Sequence, residues 1–150
     1  MDFKSTLSIA EEHGALREAA RRIRALLEGG PCACRTKNCV DCLREGTNAL
    51  AERLRTHFTA EEVSWRSADD RGRDRATRNW IDRLVREHAQ IRERMDVLVA
   101  ELEETRRRQV SAAAALRSRL HALLDDLVEH ELSEARLFQR SRFEHWGSFD

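Results

Sequence analysis

The chain has 150 residues, which is the size of one ordinary domain. Its 27 Lys and Arg residues are balanced by 27 Asp and Glu residues. The chain therefore lacks the basic excess that would predict a nucleic-acid partner. The apolar runs are too short to span a membrane and no secretory signal opens the chain, so we expect a cytoplasmic protein without a membrane partner.

Apolar residues recur at spacings of three and four in four stretches of the sequence. These stretches run from Ile9 to Leu27, from Leu43 to Trp65, from Ile81 to Leu102 and from Leu116 to Leu137. The single Pro and the six Gly residues also favour helices over sheet. Four helices with one apolar stripe each predict an all-α, up-down-up-down four-helix bundle. No internal repeat is evident.

Three breaks separate the predicted helices. The Gly29-Gly30-Pro31 segment ends the first helix, and the polar segment 69–74 ends the second. The third break, at 109–111, contains neither Gly nor Pro. We predict a tight turn there because the apolar stripe changes phase across it.

The sequence predicts one bundle domain over residues 1–140, with a Cys-rich loop at 30–42, and a C-terminal tail at 141–150. Three aromatic residues lie in this tail: Phe143, Trp146 and Phe149. We expect the tail to fold back over one end of the bundle.

Six polar residues interrupt the apolar stripes in phase with them: His13, His57, Glu61, His88, His130 and Glu134. A buried carboxylate is destabilising unless it is paired or bound to a metal ion. One core His is ordinarily a hydrogen-bonded structural residue, and one His-x-x-x-Glu pair is ordinarily a surface pair. Neither interpretation explains four His and two Glu in phase on four stripes, so the sequence predicts that all six point into the core.

Simple hairpin geometry predicts that these six residues meet. Residues at one level of an antiparallel bundle are equidistant from the turn between them, and the three midpoints fall near Thr36, Arg73 and Val110. Each midpoint lies in a predicted break, so the six side chains form one layer. Four imidazoles and two carboxylates suit two first-row metal ions, because imidazole binds iron, zinc, copper or nickel and carboxylates can bridge two ions.

The order of these residues resembles the hemerythrin-like family, also called the HHE cation-binding domain. The similarity is to its His/His-x-x-x-Glu/His/His-x-x-x-Glu branch, carried here by His13, His57, Glu61, His88, His130 and Glu134. The resemblance implies a non-haem centre of two Fe ions with an oxo or hydroxo bridge. It also implies that His13 and His57 bind one iron, that His88 and His130 bind the other, and that Glu61 and Glu134 bridge them.

One departure from the oxygen-carrying members concerns a fifth His on the third helix, where this chain has Leu84 and Arg92 as the neighbouring candidates. Fewer protein ligands leave open positions, which favour reaction with O2, peroxide or nitric oxide over reversible O2 carriage. We therefore expect a di-iron protein that binds or reacts with such a small ligand in oxidative or nitrosative stress defence or sensing. Whether it is an enzyme is left open, as is its electron donor or protein partner.

Two alternatives belong to other classes of function. One is an iron or redox sensor, or an interaction module, in which the metal centre and the Cys-rich loop control a partner surface. The other is a structural bundle whose core His and Glu residues only hydrogen-bond to one another.

All four cysteines of the chain fall in one short segment: Cys32, Cys34, Cys39 and Cys42. In a chain without an export signal, clustered Cys indicate a metal-binding or redox site. Four thiolates could enclose one Zn ion. Alternatively, Cys39 and Cys42 at the start of the second helix, where the helix dipole lowers a thiol pKa, suit a reversible disulfide. About 25 Å of helix separates this loop from His13, so its cysteines are not ligands of the histidine layer.

Overall fold

The computed structural model describes residues 3–29, 39–67 and 72–146, with side chains over 11–29, 39–66 and 72–140. It contains four helices: α1 (Phe3–Leu27), α2 (Val40–Ser67), α3 (Arg75–Arg107) and α4 (Ala114–Trp146). Each helix packs against the next along the chain, and α1 also packs against α4. This is the predicted all-α four-helix bundle. None of the described helices combines the length and the apolar content that a membrane span requires.

Two apolar clusters fill the bundle, and the layer of His and Glu residues lies between them along α2, α3 and α4. The larger cluster extends from the layer towards the α3–α4 turn, and includes Leu16, Leu54 and Leu127. The smaller one contains Trp65, Leu84 and Leu137 on the other side of the layer. The site is therefore enclosed by packed side chains within the bundle.

The cysteine segment meets α2 at its first turn. The Cys39 Sγ atom accepts a hydrogen bond from the Cys42 amide at 3.4 Å, and the Cys39 carbonyl accepts one from the Leu43 amide at 3.1 Å. Cys39 therefore caps α2, as expected for a pair at the start of this helix. Residues 40–42 of the predicted loop belong to the helix itself.

The turn between α3 and α4 lies where the change of phase predicts it. The Gln109 amide bonds to the Arg106 carbonyl and the Val110 amide bonds to the Thr105 carbonyl. This pair of bonds is the Schellman pattern, which needs a left-handed residue after the last helical turn. Gln109 supplies it with a φ of 55°. A chain reversal without Gly or Pro is therefore made by one Gln in a conformation that Gly adopts more readily.

The C-terminal helix is longer than expected. The predicted tail begins at residue 141, but α4 continues to Trp146. No Gly or Pro interrupts the sequence before Gly147, so the helix has no reason to end earlier. Phe143 and Trp146 thus belong to the helix, whereas Phe149 lies outside the described residues.

Replacing Gln109 with Gly should stabilise the protein. Gly removes the steric cost of the left-handed backbone, and it loses part of that gain through the greater entropy of its unfolded chain. We expect the free energy of unfolding to rise by about 0.5–1 kcal/mol in chemical denaturation. The control is Arg108→Gly at the preceding residue, which has a right-handed φ of −75° and should lose stability. Equal effects of the two changes would contradict this account of the turn.

The N-terminus of α3 predicts a pH-dependent contribution to stability. The Asp74 side chain caps this helix by accepting a hydrogen bond from the Thr77 amide at 2.7 Å. This bond, with the nearby Arg140 guanidinium at 2.9 Å, holds the pKa of Asp74 below its ordinary value. A lowered folded-state pKa means that the carboxylate stabilises the fold above its unfolded pKa, and that this stabilisation is lost as the pH falls through the folded value.

An Asp74→Asn variant keeps a capping oxygen and removes the charge. Its melting temperature should lie about 1–3 °C below that of the wild type at pH 7, and this difference should disappear as the pH falls through the lowered pKa of Asp74. The exposed Asp82, farther along α3, gives the matched control Asp82→Asn, for which thermal melts should show little difference at either pH. A difference in melting temperature that does not change with pH would show that the Asp74 charge is not its cause.

Candidate metal centre

The structure brings the six predicted site residues together in one layer of the bundle. His13 comes from α1, His57 and Glu61 from α2, His88 from α3, and His130 and Glu134 from α4. Each His-x-x-x-Glu pair projects from one face of its helix, because residues four apart lie one turn above each other. Five of the six side chains are at most 3% exposed, and His13 is 15% exposed.

The Nε2 atoms of all four imidazoles face the two carboxylates. His57 Nε2 lies 2.9 Å from Glu61 Oε1, and His130 Nε2 lies 2.7 Å from Glu134 Oε1. His88 Nε2 lies between the two carboxylates, 3.3 Å from Glu61 Oε2 and 3.4 Å from Glu134 Oε1. His13 Nε2 lies 3.5 Å from Glu61 Oε1 and 3.6 Å from Glu134 Oε2. The donor atoms thus converge on one small volume.

These donor atoms form two overlapping groups of four, each with its atoms within 4.8 Å of one another. One group contains His13, His57, Glu61 and Glu134, and the other contains His88, His130, Glu61 and Glu134. Both carboxylates are shared, whereas each pair of His belongs to one group. The described donor atoms could therefore hold metal cations, with Glu61 and Glu134 common to both groups.

Several of these atoms are buried without a well-formed hydrogen bond. They are Glu61 Oε2, His130 Nε2 and Glu134 Oε2. Some of these atoms lie within ion-pair distance of an imidazole nitrogen or a carboxylate oxygen, but the contact does not have the geometry of a hydrogen bond. In addition, the Nε2 atoms of His13 and His57 point to the same volume and lie only 2.9 Å apart. Buried polar atoms are ordinarily satisfied, so an arrangement of converging orphaned acceptors fits bound cations.

Three further carboxylates, which the sequence pattern did not predict, lie against the outer nitrogen atoms of three of the imidazoles. Glu12 Oε2 lies 3.0 Å from His57 Nδ1, Glu62 Oε1 lies 3.0 Å from His88 Nδ1, and Glu87 Oε2 lies 2.8 Å from His130 Nδ1. A carboxylate at Nδ1 fixes the ring orientation and leaves Nε2 free for a metal ion. The sequence feature that could have indicated these Glu residues is that each of them is adjacent in sequence to a site residue.

The charges of the site compensate one another. Burial alone would lower the pKa of His88, but the adjacent carboxylates of Glu134, Glu61 and Glu62 raise it to about 9. Burial would also lower the pKa of His57 and of His130, but the neighbouring carboxylates outweigh burial and raise both pKa values. Burial would raise the pKa of Glu61, but the adjacent imidazoles of His13, His57 and His88 hold it well below its ordinary value. A bound cation would replace imidazolium protons, so cation uptake releases protons.

Aromatic rings form the wall of the site on the α2 side. His88 is stacked on Phe58, with ring centroids 3.9 Å apart, and on Trp65, with centroids 5.3 Å apart. The Arg92 guanidinium lies over the Phe58 ring and donates to Glu62 at 2.9 Å. Leu84 is buried in the smaller apolar cluster. Neither Leu84 nor Arg92 therefore contributes a ligand at the position where the fifth His of oxygen carriers is expected.

Two surface clefts lead to the outer edges of the site. One, of about 310 Å³, is lined by Glu12 and His57 at the α1–α2 seam. The other, of about 420 Å³, is lined by Glu87 and His130 at the α3–α4 seam. Each cleft therefore ends at an imidazole and its supporting carboxylate.

The cysteine group is described only in part. Cys39 is a half-buried free thiol whereas Cys42 is disulfide-bonded, so the disulfide between these two residues that the sequence suggested is not formed. Cys32 and Cys34 lie outside the described residues. The zinc and redox interpretations of the four-cysteine group both stay predictions.

Comparison with known families agrees with this geometry. Residues 7–140 match the family model of the hemerythrin HHE cation binding domain. The chain matches no curated protein and no solved structure.

The aromatic wall predicts a difference between two Phe residues. Phe58 is 1% exposed and stacks on His88, so Phe58→Ala should lower the free energy of unfolding by about 3–5 kcal/mol through lost burial and a cavity. Phe138→Ala is the matched change on α4, where the ring is 37% exposed. It should cost about 1 kcal/mol or less. Similar losses for both variants in chemical denaturation would contradict the described packing of Phe58.

Proposed function

The chain belongs to the hemerythrin HHE cation-binding domain family, and from that premise we propose that it is a non-haem di-iron protein that binds or reacts with O2, peroxide or nitric oxide. The observation that supports this most is the pair of four-atom donor groups that share Glu61 and Glu134. A site for one cation would need only one such group. The mixture of imidazole and carboxylate donors suits iron among the first-row metals.

In this proposal each iron takes two His and both carboxylates. His13 and His57 hold one ion, His88 and His130 hold the other, and Glu61 and Glu134 bridge them. Glu12, Glu62 and Glu87 orient three of the imidazoles through Nδ1. The bound pair supplies redox chemistry and open coordination positions for a small ligand.

The surrounding residues decide what can reach the pair. Phe58 and Trp65 cover His88 and exclude water from that side of the layer. The clefts at the α1–α2 and α3–α4 seams bring solvent close to His57 and His130. Entry limited in this way suits a diatomic molecule or a peroxide. We therefore favour a role in oxidative or nitrosative stress defence or sensing in the cytoplasm.

The absence of a fifth His favours reaction over carriage. Arg92 stands one turn from His88 and is bound to Glu62, so two His per ion is the full set offered by the described side chains. Fewer protein ligands leave more positions to water or to the incoming molecule. Turnover of peroxide or nitric oxide is thus expected rather than reversible O2 binding alone.

The first test is iron content. Untagged protein reconstituted with ferrous iron under anaerobic conditions should hold two irons per chain. His130→Ala removes a ligand and should lose at least one. The matched control His121→Ala changes another His of α4, which lies outside the site, and should keep both. A wild type that takes up no iron, and whose stability is the same before and after the reconstitution treatment, would instead favour the structural bundle.

Reactivity is the second test. The reduced di-iron protein is mixed with O2, peroxide or nitric oxide in a stopped-flow instrument and followed by its absorbance. We expect a spectral change that is complete at a fixed ratio of oxidant to iron pair, and that His130→Ala loses while His121→Ala retains. Iron that is present but unaffected by all three molecules would contradict the proposed reactivity and leave the metal with a structural role.

A further inference from the structure

The two halves of the bundle correspond to each other around the site. His13 of α1 matches His88 of α3, and the His57–Glu61 pair of α2 matches the His130–Glu134 pair of α4. The supporting carboxylates follow the same correspondence, since Glu12 and Glu87 each precede one of these His residues and each contact the next helix. Any residue that breaks this relation therefore distinguishes one cation position from the other.

The first break is a missing carboxylate. Glu62 directly follows Glu61 and bonds to His88 Nδ1. The corresponding residue after Glu134 is Ala135, which has no acceptor to offer His13. Among the described residues, the Nδ1 atom of His13 has no hydrogen-bond or ion-pair partner, whereas the Nδ1 atoms of the other three have one each. Of the four imidazoles, His13 is thus the one whose ring no described carboxylate orients through Nδ1.

The second break is in the wall that covers the imidazole. His88 is stacked between Phe58 and Trp65 and is fully buried. The residues that correspond to these rings on α4 are Glu131 and Phe138. Glu131 pairs with the exposed Arg17 at 3.1 Å, and Phe138 is itself 37% exposed. The His13 side chain is consequently 15% exposed. Water therefore competes for the His13 position more readily than for the His88 position.

We propose that the two positions are unequal: iron binds first and most tightly between His88 and His130, while the position between His13 and His57 is the weaker and exchangeable one. This inference rests on the proposed di-iron function. A carboxylate that supports a ligand imidazole raises metal affinity by about 10–100-fold. The missing carboxylate at His13 therefore predicts that the dissociation constants of the two iron positions differ by at least about tenfold. The protein then holds one iron when iron is scarce and two when it is plentiful.

The experiment is an anaerobic titration of the metal-free 150-residue chain with ferrous iron, followed by calorimetry and by competition with a chelator. The wild type should show two separate binding events. His13→Ala should keep one event with an affinity close to that of the tighter wild-type event. His130→Ala should lose the tighter event. The same loss of affinity in both variants would overturn the proposed order.

Two further variants test the cause of the difference. Ala135→Glu supplies the missing carboxylate and should tighten the weaker event by about tenfold, whereas the control Ala135→Leu, which adds bulk without an acceptor, should not. Glu62→Ala removes the matching carboxylate and should weaken the tighter event by a similar factor, with the exposed Val63→Ala as its control. If Ala135→Glu has no more effect than Ala135→Leu, the carboxylate is not the cause.

The outcomes separate this inference from the proposed function. A wild type that binds no ferrous iron contradicts the function itself. A wild type that binds two irons with indistinguishable affinities keeps the function and contradicts only the inequality.

Discussion

The structure depends on the burial of two carboxylates, Glu61 and Glu134, at the centre of a helical bundle. Removing such groups from water is destabilising by several kcal/mol each unless opposite charge or a metal ion lies against them. Four imidazoles from four different helices provide that partner. The requirement fixes the relative height and rotation of all four helices, because a shift of one turn would leave a carboxylate without its imidazoles.

The supporting carboxylates extend this constraint from the centre to the seams between helices. Glu12 joins α1 to α2, Glu62 joins α2 to α3, and Glu87 joins α3 to α4, each through an imidazole of the next helix. At the seam between α4 and α1, the corresponding contacts are the ion pairs Arg17–Glu131 and Arg24–Asp125, which lie at the surface. Exposed ion pairs contribute little and are screened by salt. In the supporting polar contacts of the described side chains, the first helix is therefore joined to the last less firmly than the other neighbours are joined to each other.

The sequence was sufficient to predict the fold and the meeting of the six central residues. Polar residues in phase with four apolar stripes have few explanations, and the hairpin midpoints restrict the level at which they meet. The supporting glutamates could not be predicted in the same way. Glu12, Glu62 and Glu87 lie one residue from the core stripe, about 100° around the helix, where a charged residue is ordinarily solvated. Only the packing of the next helix shows that each of them faces an imidazole.

The change of phase predicted the position of the α3–α4 turn, but neither its left-handed residue nor the end of α4 was predicted, for a different reason. Helix termination depends on local backbone energies that a single residue can supply, as Gln109 does in the left-handed region after α3. At the C-terminus, the aromatic composition of residues 141–150 suggested a segment that folds back, but the absence of a helix-breaking residue before Gly147 lets α4 continue. Composition alone did not distinguish an apolar tail from a continued helix.

The division of the core into two clusters has a consequence for local motion. Each described cluster contacts the central layer through one ring of α2, because Phe58 of the larger cluster and Trp65 of the smaller one both stack on His88. Amide hydrogen exchange in the turns of α2 that carry these two rings should therefore report on the central layer. A small molecule that binds at the centre would then change the mobility of α2 on both sides of the layer.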